Sequence, residues 1–183
     1  MAYRSKFEEL MKQSAWTKEI AGEDYERLAS VYELSCSTGK GLIIKGGVGV
    51  GKTHFARALY PHPQAIFIDC SQRGEVARLT AMTEYFGERR YGNMILDDVG
   101  AEELLNDFGT KRDIIAEHIM WRHSLMMNKK FNPHIMTIGK LIITTNIDLE
   151  RYGKRIHSRL ADMCIPVELT GKDKRVWTTA SKG

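Results

Sequence analysis

The chain has 183 residues, of which 43% are hydrophobic and 27% charged, and its formal net charge is +4. This length fits one domain with a buried core, and the hydrophobic fraction is too high for a disordered chain. No apolar run reaches the roughly 18 residues that span a bilayer, and the N-terminus lacks the apolar segment of a signal peptide. We therefore expect a soluble, cytoplasmic protein with no membrane partner.

The positive charge is unevenly distributed along the chain. Residues 1–149 contain 19 basic and 19 acidic side chains, whereas residues 150–183 contain 8 basic and 4 acidic ones. A surplus of this size does not by itself predict nucleic-acid binding. The three cysteines are far apart and form no metal-ligand pattern, so we expect reduced, mostly buried thiols.

The apolar pattern divides the chain at a glycine-containing turn. Residues 1–38 show helical spacing and form a predicted N-terminal helical extension, and residues 39–183 form a predicted α/β domain. The apolar runs of this domain are continuous, which is typical of strands buried on both faces. The predicted fold is a three-layer α/β fold with a five-stranded, mostly parallel sheet. Strands are predicted at 42–44, 65–68, 94–96, 141–143 and 165–169, and helices at 52–60, 74–86, 111–128 and 151–161.

The strongest motif is a phosphate-binding loop between the first predicted strand and its helix. It reads GGVGVGKT and satisfies the pattern G-x-x-x-x-G-K-[ST], although a glycine-rich turn without a ligand is the alternative. Glycines let backbone N–H groups approach phosphates, and the helix N-terminus attracts anions. Lys52 is predicted to bridge the β- and γ-phosphates, and the Thr53 hydroxyl to bind Mg²⁺. The predicted nucleotide-binding residues are Gly46, Gly47, Val48, Gly49, Val50, Gly51, Lys52, Thr53 and His54.

Two adjacent acids end the third predicted strand. Acids at the carboxyl end of a parallel strand face the ligand crevice of an open α/β sheet. Successive strand residues point to opposite sides, so one acid can bind Mg²⁺ while the other reaches an attacking water. We assign Asp97 to the metal and Asp98 to water activation, with solvated acids as the alternative. Glu102 and Glu103 are further candidates.

Polar and basic residues follow the fourth predicted strand. Asn146 is predicted to orient the attacking water or to contact the γ-phosphate, although asparagine also begins turns. Arg155 and Arg159 are four residues apart and share one helix face, with Ile156 and Leu160 on the adjacent, core-facing side. A solvated basic face is the simpler interpretation of this spacing. The alternative is stabilisation of phosphoryl charge across a subunit interface.

The order of these motifs resembles that of AAA+ ATPases of the DnaC/IstB type, which include bacterial or phage helicase loaders and transposition helper ATPases. The resemblance covers residues 38–175. It predicts a P-loop fold of the AAA+ (ASCE) type. The sequence also places an extra predicted strand, Ala65–Asp69, between the phosphate loop and the acidic strand. That order is expected where a strand is inserted between the phosphate-loop and acidic strands, which are neighbours in nucleotide kinases. Beyond the phosphate loop the resemblance rests on the segments LDDVG, TTN, RIHSRL and GKDKR, which are Leu96–Gly100, Thr144–Asn146, Arg155–Leu160 and Gly171–Arg175.

The resemblance also implies roles for individual residues. The phosphate loop matches Walker A, and Asp97 with Asp98 matches Walker B. The further matches are sensor 1, an arginine finger that reaches the ATP of a neighbouring subunit, a second arginine of the same segment and a terminal arginine of open role: Asn146, Arg159, Arg155 and Arg175.

The implied function is an ATP- and Mg²⁺-dependent switch in a homo-oligomer. Its implied partners are single-stranded DNA and a replicative helicase or another DNA-processing protein. The alternatives are a helper ATPase that targets a DNA recombinase, a nucleotide or small-molecule kinase with Arg89–Arg90 as its lid, and an ATP-binding adaptor without hydrolysis.

Three features fall outside the family pattern. Residues 1–38 are fewer than a helicase-binding domain needs, and we expect no helical lid domain after Arg175. The predicted loop Met126–His134 contains Lys129, Lys130 and Phe131 and is a candidate DNA contact, with an exposed connection as the alternative.

Overall fold

The computed structural model describes residues 2–14, 22, 24–61, 63–85, 92–107, 109–131, 138–171 and 173. Its helices are α1 (Ala2–Gln13), α2 (Asp24–Thr38), α3 (Lys52–Leu59), α4 (Arg73–Tyr85), α5 (Ile114–Phe131) and α6 (Gly153–Met163). Its strands are β1 (Gly41–Gly46), β2 (Ala65–Asp69), β3 (Asn93–Asp97), β4 (Leu105–Asp107), β5 (Thr110–Arg112), β6 (Leu141–Thr145) and β7 (Cys164–Leu169).

Five of the strands form one parallel sheet in the order β2-β3-β6-β1-β7. Strand β6 lies between the phosphate-loop strand β1 and the acidic strand β3, so that Ile142 pairs with Leu42 on one side and with Ile95 on the other. The predicted P-loop fold with an inserted strand is therefore confirmed. The inserted strand is β6 and not the extra strand Ala65–Asp69, which is β2 and lies at the outer edge beside β3. The order of strands along the chain does not fix their order in the sheet.

Both faces of the sheet are covered by helices. Leu42 and Ile44 of β1 belong to a hydrophobic cluster with α1, α2 and α3, whereas Ile43 between them belongs to a second cluster with α4, α5 and α6. This alternation explains why the strands are apolar throughout, because every second residue enters a different core. Phe7 of α1 is fully buried, so the N-terminal helices share the first core with the sheet. The division of the chain at residue 38 stays a prediction.

The helix predicted at 111–128 begins and ends later than expected, at Ile114–Phe131. Its first predicted turn is instead part of a small antiparallel hairpin, in which Thr110–Arg112 pairs with Leu105–Asp107. Strands of three residues are too short to show an alternating pattern, so the hairpin leaves little trace in the sequence.

The predicted loop Met126–His134 is wrong as far as residue 131, because α5 continues to Phe131. Methionine and lysine are good helix formers, and the first strong helix breaker in the sequence is Pro133. Lys129 and Lys130 are therefore helical residues, and residues 132–134 lie outside the described part of the chain.

The helix predicted at 151–161 is divided into two elements. A short 3-10 helix spans Leu149–Tyr152, and α6 follows it. The Asp148 side chain starts the 3-10 helix by accepting a hydrogen bond from the Glu150 amide at 3.1 Å. As predicted, all three cysteines are free thiols, two of them buried. No helix among the described residues has the length and apolar character that crossing a membrane requires.

Candidate nucleotide-binding and hydrolysis site

The carboxyl ends of three adjacent strands bring the polar motifs together. The phosphate loop follows β1, the two acids end β3 and Asn146 follows β6. Because these strands are parallel neighbours in the order β3-β6-β1, their carboxyl ends meet at one edge of the sheet. In open α/β sheets this edge is the ligand crevice.

The phosphate loop has the backbone conformation that its glycines predict. Gly49 and Gly51 have φ values of 76° and 97°, which a side chain would strain. Helix α3 begins directly after Gly51, and the Phe55 amide donates to the Gly51 carbonyl at 2.9 Å. Val50 is buried and fixes the loop to the core. The loop therefore presents the amino end of α3, where unpaired N–H groups attract anions.

Lys52 connects the phosphate loop to the end of β6. Its side chain is only 6% exposed, and its Nζ donates to the carbonyl oxygens of Gly46 at 3.0 Å and Gly47 at 2.8 Å, and to Asn146 Oδ1. These three acceptors are neutral oxygens, and hydrogen bonds to anionic oxygens are stronger. Phosphate oxygens can therefore replace some of them favourably, as the predicted role of Lys52 requires.

Asp97 lies between two threonine hydroxyls. Thr53 Oγ1 donates to its Oδ2 at 3.0 Å, and Thr144 Oγ1 donates to its Oδ1 at 2.6 Å. Burial raises the pKa of Asp97 above the ordinary value, although these two hydrogen bonds act in the opposite direction. A cation beside this carboxylate would offset the unfavourable burial of its charge.

The oxygen ligands at Thr53 and Asp97 fit a magnesium ion that keeps several waters and binds phosphate oxygens. Within the described ranges, no group of three or more His, Cys, Asp or Glu side chains forms a site that could hold a metal ion. The protein would therefore supply only part of the coordination, which is usual for Mg²⁺ bound with a nucleotide.

The backbone at Asp98 departs from strand geometry. Its φ is 54°, a left-handed value that is strained for a residue with a side chain. The Asp98 amide donates to Thr144 Oγ1 at 2.9 Å, and Asn146 Nδ2 lies 3.5 Å from Asp98 Oδ1. The turn thus directs the second acid toward Asn146, while Asp97 stays with Thr53.

Thr144 is the functional residue that sequence reasoning missed. It is completely buried, donates to Asp97 and accepts from the Asp98 amide, so one hydroxyl orients both acids. The signal was present in the sequence, because two threonines close an otherwise apolar strand, LIITT. The second hydroxyl, of Thr145, donates to the Val99 carbonyl at 2.7 Å and fixes the turn after the acids.

Arg155 and Arg159 lie apart from this site. Arg155 is exposed, Arg159 is half-buried, and Arg159 Nη1 donates to the Arg155 carbonyl at 3.0 Å. Ile156 and Leu160 are buried beside them, as predicted. In the part of the chain that the structure describes, neither guanidinium bonds to the phosphate loop or to the acids of the same molecule.

No protein-family model matches the sequence, and no curated protein matches it significantly. The solved structure of the DnaC helicase loader is similar, with a TM-score of 0.55 and 23% identity over 81% of this chain and 92% of that chain. This chain therefore shares the α/β fold of the DnaC helicase loader structure. The resemblance predicted from the motifs is thus confirmed at the level of the fold.

Two further structures show weaker likenesses. The ORC2 protein of Aeropyrum pernix in its ADP form matches with a TM-score of 0.49 and 14% identity, over 90% of this chain and 55% of that one. The ORC1 protein of the same organism, in complex with DNA, matches with a TM-score of 0.47 and 15% identity, over 85% and 50%. This chain therefore spans about half the length of these two proteins.

Two charged residues near the site, Glu102 and Arg151, have structural contacts that the sequence did not reveal. Glu102 accepts hydrogen bonds from the Gly100 amide at 2.6 Å, from Arg151 at 3.0 Å and from the Tyr152 hydroxyl. Arg151 also donates to the Gly100 carbonyl at 2.8 Å. These contacts join the turn after β3 to the 3-10 helix. Glu103 is exposed.

The remaining residues predicted from the sequence are not shown in contact with the phosphate loop or the acids through their side chains. The His54 ring is 3.1 Å from the Ser14 carbonyl at the end of α1, so its backbone N–H is the group left for a phosphate. Arg175 and Arg89–Arg90 lie outside the described residues.

Proposed function

We propose that the protein binds and hydrolyses ATP at the edge formed by β3, β6 and β1. The observation that carries this proposal is the connected set of hydrogen bonds from Lys52 through Asn146 to Asp98, beside the contact of Thr53 with Asp97. It places a cation, an oxygen pair for a metal and a second carboxylate around one phosphate-binding loop. These are the parts that phosphoryl transfer to water needs.

Each residue then has a defined task. The loop amides and Lys52 bind the phosphates, and Mg²⁺ held by Thr53 and Asp97 would supply positive charge to the phosphate oxygens. Asp98 accepts a hydrogen bond from the attacking water and takes its proton as the new oxygen–phosphorus bond forms. The bond from the γ-phosphorus to the bridging oxygen breaks, and ADP and phosphate leave. Asn146 holds Asp98 and Lys52 in place.

Arg159 and Arg155 act on the ATP of a neighbouring subunit in this proposal. Among the described residues neither guanidinium bonds to the phosphate loop of its own molecule, and α6 begins at the same edge of the sheet as the loop. A head-to-tail interface can bring this helix to the loop of the next molecule. Nucleotide then joins subunits, and its hydrolysis releases them.

The biological role that we propose is a switch in DNA replication initiation, similar to a helicase loader. It is supported by the motif order and by the likeness of the fold to the DnaC helicase loader. A helper ATPase that targets a recombinase has the same site and stays an alternative. The kinase alternative is disfavoured, because β6 separates two strands that are neighbours in nucleotide kinases.

A groove beside the site is a candidate surface for single-stranded DNA. It has a volume of about 580 Å³ and lies between the start of α4 and the β4–β5 hairpin, with Arg73 and Arg112 in its lining. Arg73 is exposed, whereas Arg112 is paired with Glu117.

We expect Arg73→Ala to weaken binding of single-stranded DNA several-fold. The slope of the logarithm of affinity against the logarithm of salt concentration should become smaller by about one. Lys6→Ala, at an exposed position of α1, is the matched control, and equal effects of the two substitutions would contradict this surface.

The proposed function is tested by measuring phosphate release with and without single-stranded DNA, alongside the mass of the protein in ATP. We expect slow release that DNA stimulates, together with assembly in ATP. Transfer of the phosphoryl group to a nucleoside would instead indicate a kinase. ATP binding without release would indicate an adaptor.

A further inference from the structure

The end of β7 lies directly against the start of the phosphate loop. Leu169 pairs with Gly46 in the sheet, and a Cβ atom at Gly46 would lie 2.5 Å from the Leu169 carbonyl oxygen. The chain that leaves β7 therefore starts beside the anion-binding loop. Gly171 then turns the chain with a φ of 123°.

The first residue after β7 is bound to α2. Asp24 Oδ2 accepts hydrogen bonds from both the amide and the hydroxyl of Thr170, each at 2.9 Å, and Asp24 Oδ1 accepts from Arg27 at 2.5 Å. Burial alone would raise the pKa of Asp24, but the contacts with Thr170 and Arg27 lower it below its ordinary value. Arg27 also donates to the Glu168 carbonyl. The start of the segment is thus fixed independently of any nucleotide.

The end of the segment lies on the phosphate loop. A Cβ atom at Gly49 would lie 1.7 Å from Asp173 Oδ1 and 2.0 Å from its Cγ, so the carboxylate lies where a side chain at Gly49 would be. Glycine is therefore needed at position 49 for two reasons: its φ is 76°, and a side chain would collide with Asp173. A carboxylate beside an anion-binding loop has the same sign of charge as a nucleotide phosphate, and the two repel each other.

We propose that Asp173 is an intramolecular competitor of the nucleotide phosphates for the phosphate loop. Nucleotide binding displaces Asp173 from Gly49, while Thr170 stays bound to Asp24. The segment then reports the nucleotide state to the surface beside α2. Because the two bindings oppose each other, each weakens the other by the same factor. This inference rests on the proposed function, since it requires the loop to bind a nucleotide.

The test is calorimetric binding of ADP to the full chain and its variants. We expect Asp173→Asn to bind ADP about threefold to tenfold more tightly than the unmodified protein, with a smaller gain at high salt. Asp173→Glu keeps the charge and should stay close to the unmodified protein. Asp162→Asn removes the same charge from the C-terminal part of α6 and is the matched control, with no expected gain.

The outcomes separate this inference from the proposed function. If the unmodified protein binds ADP and Lys52→Ala loses binding, the loop is the nucleotide site. Unchanged or weaker binding by Asp173→Asn would then overturn the competitor role, weaker binding indicating that Asp173 contacts the nucleotide. No binding by the unmodified protein would overturn the proposed function and this inference with it.

Hydrogen exchange of the unmodified protein gives a second readout that needs no variant. Exchange at the backbone amides of Gly171 and Asp173 should become faster when ADP is added. Slower exchange there would also overturn the inference.

Discussion

The phosphate loop and helix α6 both carry cations of the same proposed reaction, but they are held in opposite ways. Lys52 is buried and bonds to the loop and to Asn146. Arg159, in contrast, donates only to its own helix among the contacts that the structure describes, at the carbonyl of Arg155. Asp97 resembles Lys52 in this respect, because two threonine hydroxyls of the same chain orient its carboxylate.

This difference separates the part of the candidate site that one molecule supplies from the part that requires a second molecule. The loop, the acids and Asn146 form a site that is organised before any nucleotide arrives, which is what electrostatic preorganisation requires. Arg155 is exposed and Arg159 half-buried, and over the described ranges of the chain neither contacts an acid of its own site. In the proposed reaction, the positive charge of the two arginines therefore acts only when a second subunit is present.

The largest effect is expected from Arg159, which the proposal assigns to the ATP of a neighbouring subunit. Arg159→Ala should lower the rate of ATP hydrolysis by about a thousandfold or more, because an arginine finger stabilises charge only in the transition state. ATP binding by the monomer should be unchanged. The measurement is phosphate release beside nucleotide titration, with exposed Lys154→Ala on the same helix as the control. A parallel loss of monomer binding would place Arg159 in its own site.

The next effect concerns the acid beside Asn146. Asp98→Asn should lower the hydrolysis rate by about a thousandfold while ATP affinity stays within about twofold, since general-base groups contribute on that scale. Single-turnover phosphate release after ATP binding measures this directly. If release continues at the original rate, Asp98 is not the base, and another acid has that role.

A smaller effect is expected from the buried hydroxyl that orients both acids. Thr144→Val removes its hydrogen bonds to Asp97 and to the Asp98 amide and should lower the hydrolysis rate by about tenfold to a hundredfold. Thr144→Ser keeps the hydroxyl and should recover most of the activity. Equal activity of the valine and serine variants would show that the hydroxyl has no part in positioning the acids.

The smallest effect is one on stability, and it has the opposite sign. Burial raises the pKa of Asp97, so the ionised form destabilises the fold above its raised pKa, and this penalty disappears below the ordinary value of 3.8. Asp97→Asn should therefore unfold at a slightly higher temperature than the unmodified protein at pH 7, although it loses hydrolysis. The difference should vanish in acid. Thermal unfolding against pH measures the difference, with Glu103→Gln at an exposed position as control. A lower unfolding temperature of Asp97→Asn at pH 7 would contradict the argument.

The sequence predicts the sheet closely because each buried strand is a continuous apolar run that ends in a polar motif. The strand predicted at 94–96, for example, is Asn93–Asp97 in the structure. The phosphate loop is equally predictable, because its glycines are required locally. What the sequence could not show are contacts between distant segments, such as Thr144 with the Asp98 amide or Asp173 with Gly49.

Local sequence patterns did not predict the end of helix α5 or the contacts of Arg151. The helix predicted at 111–128 ends too early, because Asn128 carries only a small helix penalty and the helix continues to Phe131. Arg151 belongs to the basic C-terminal part of the chain, and the 3-10 helix brings it to Glu102 and Gly100. Such pairings depend on tertiary structure and leave no periodic signal.

The central claim is that ATP is hydrolysed between two copies of the chain, and mixing two inactive variants tests it most directly. Lys52→Ala lacks the loop cation and Arg159→Ala lacks the finger, and each alone should release almost no phosphate. In an equal mixture roughly a quarter of the head-to-tail interfaces would pair an intact loop with an intact Arg159. We predict that phosphate release by the mixture rises well above the sum of its components. A mixture as inactive as its components, despite assembly in ATP, would contradict hydrolysis between subunits.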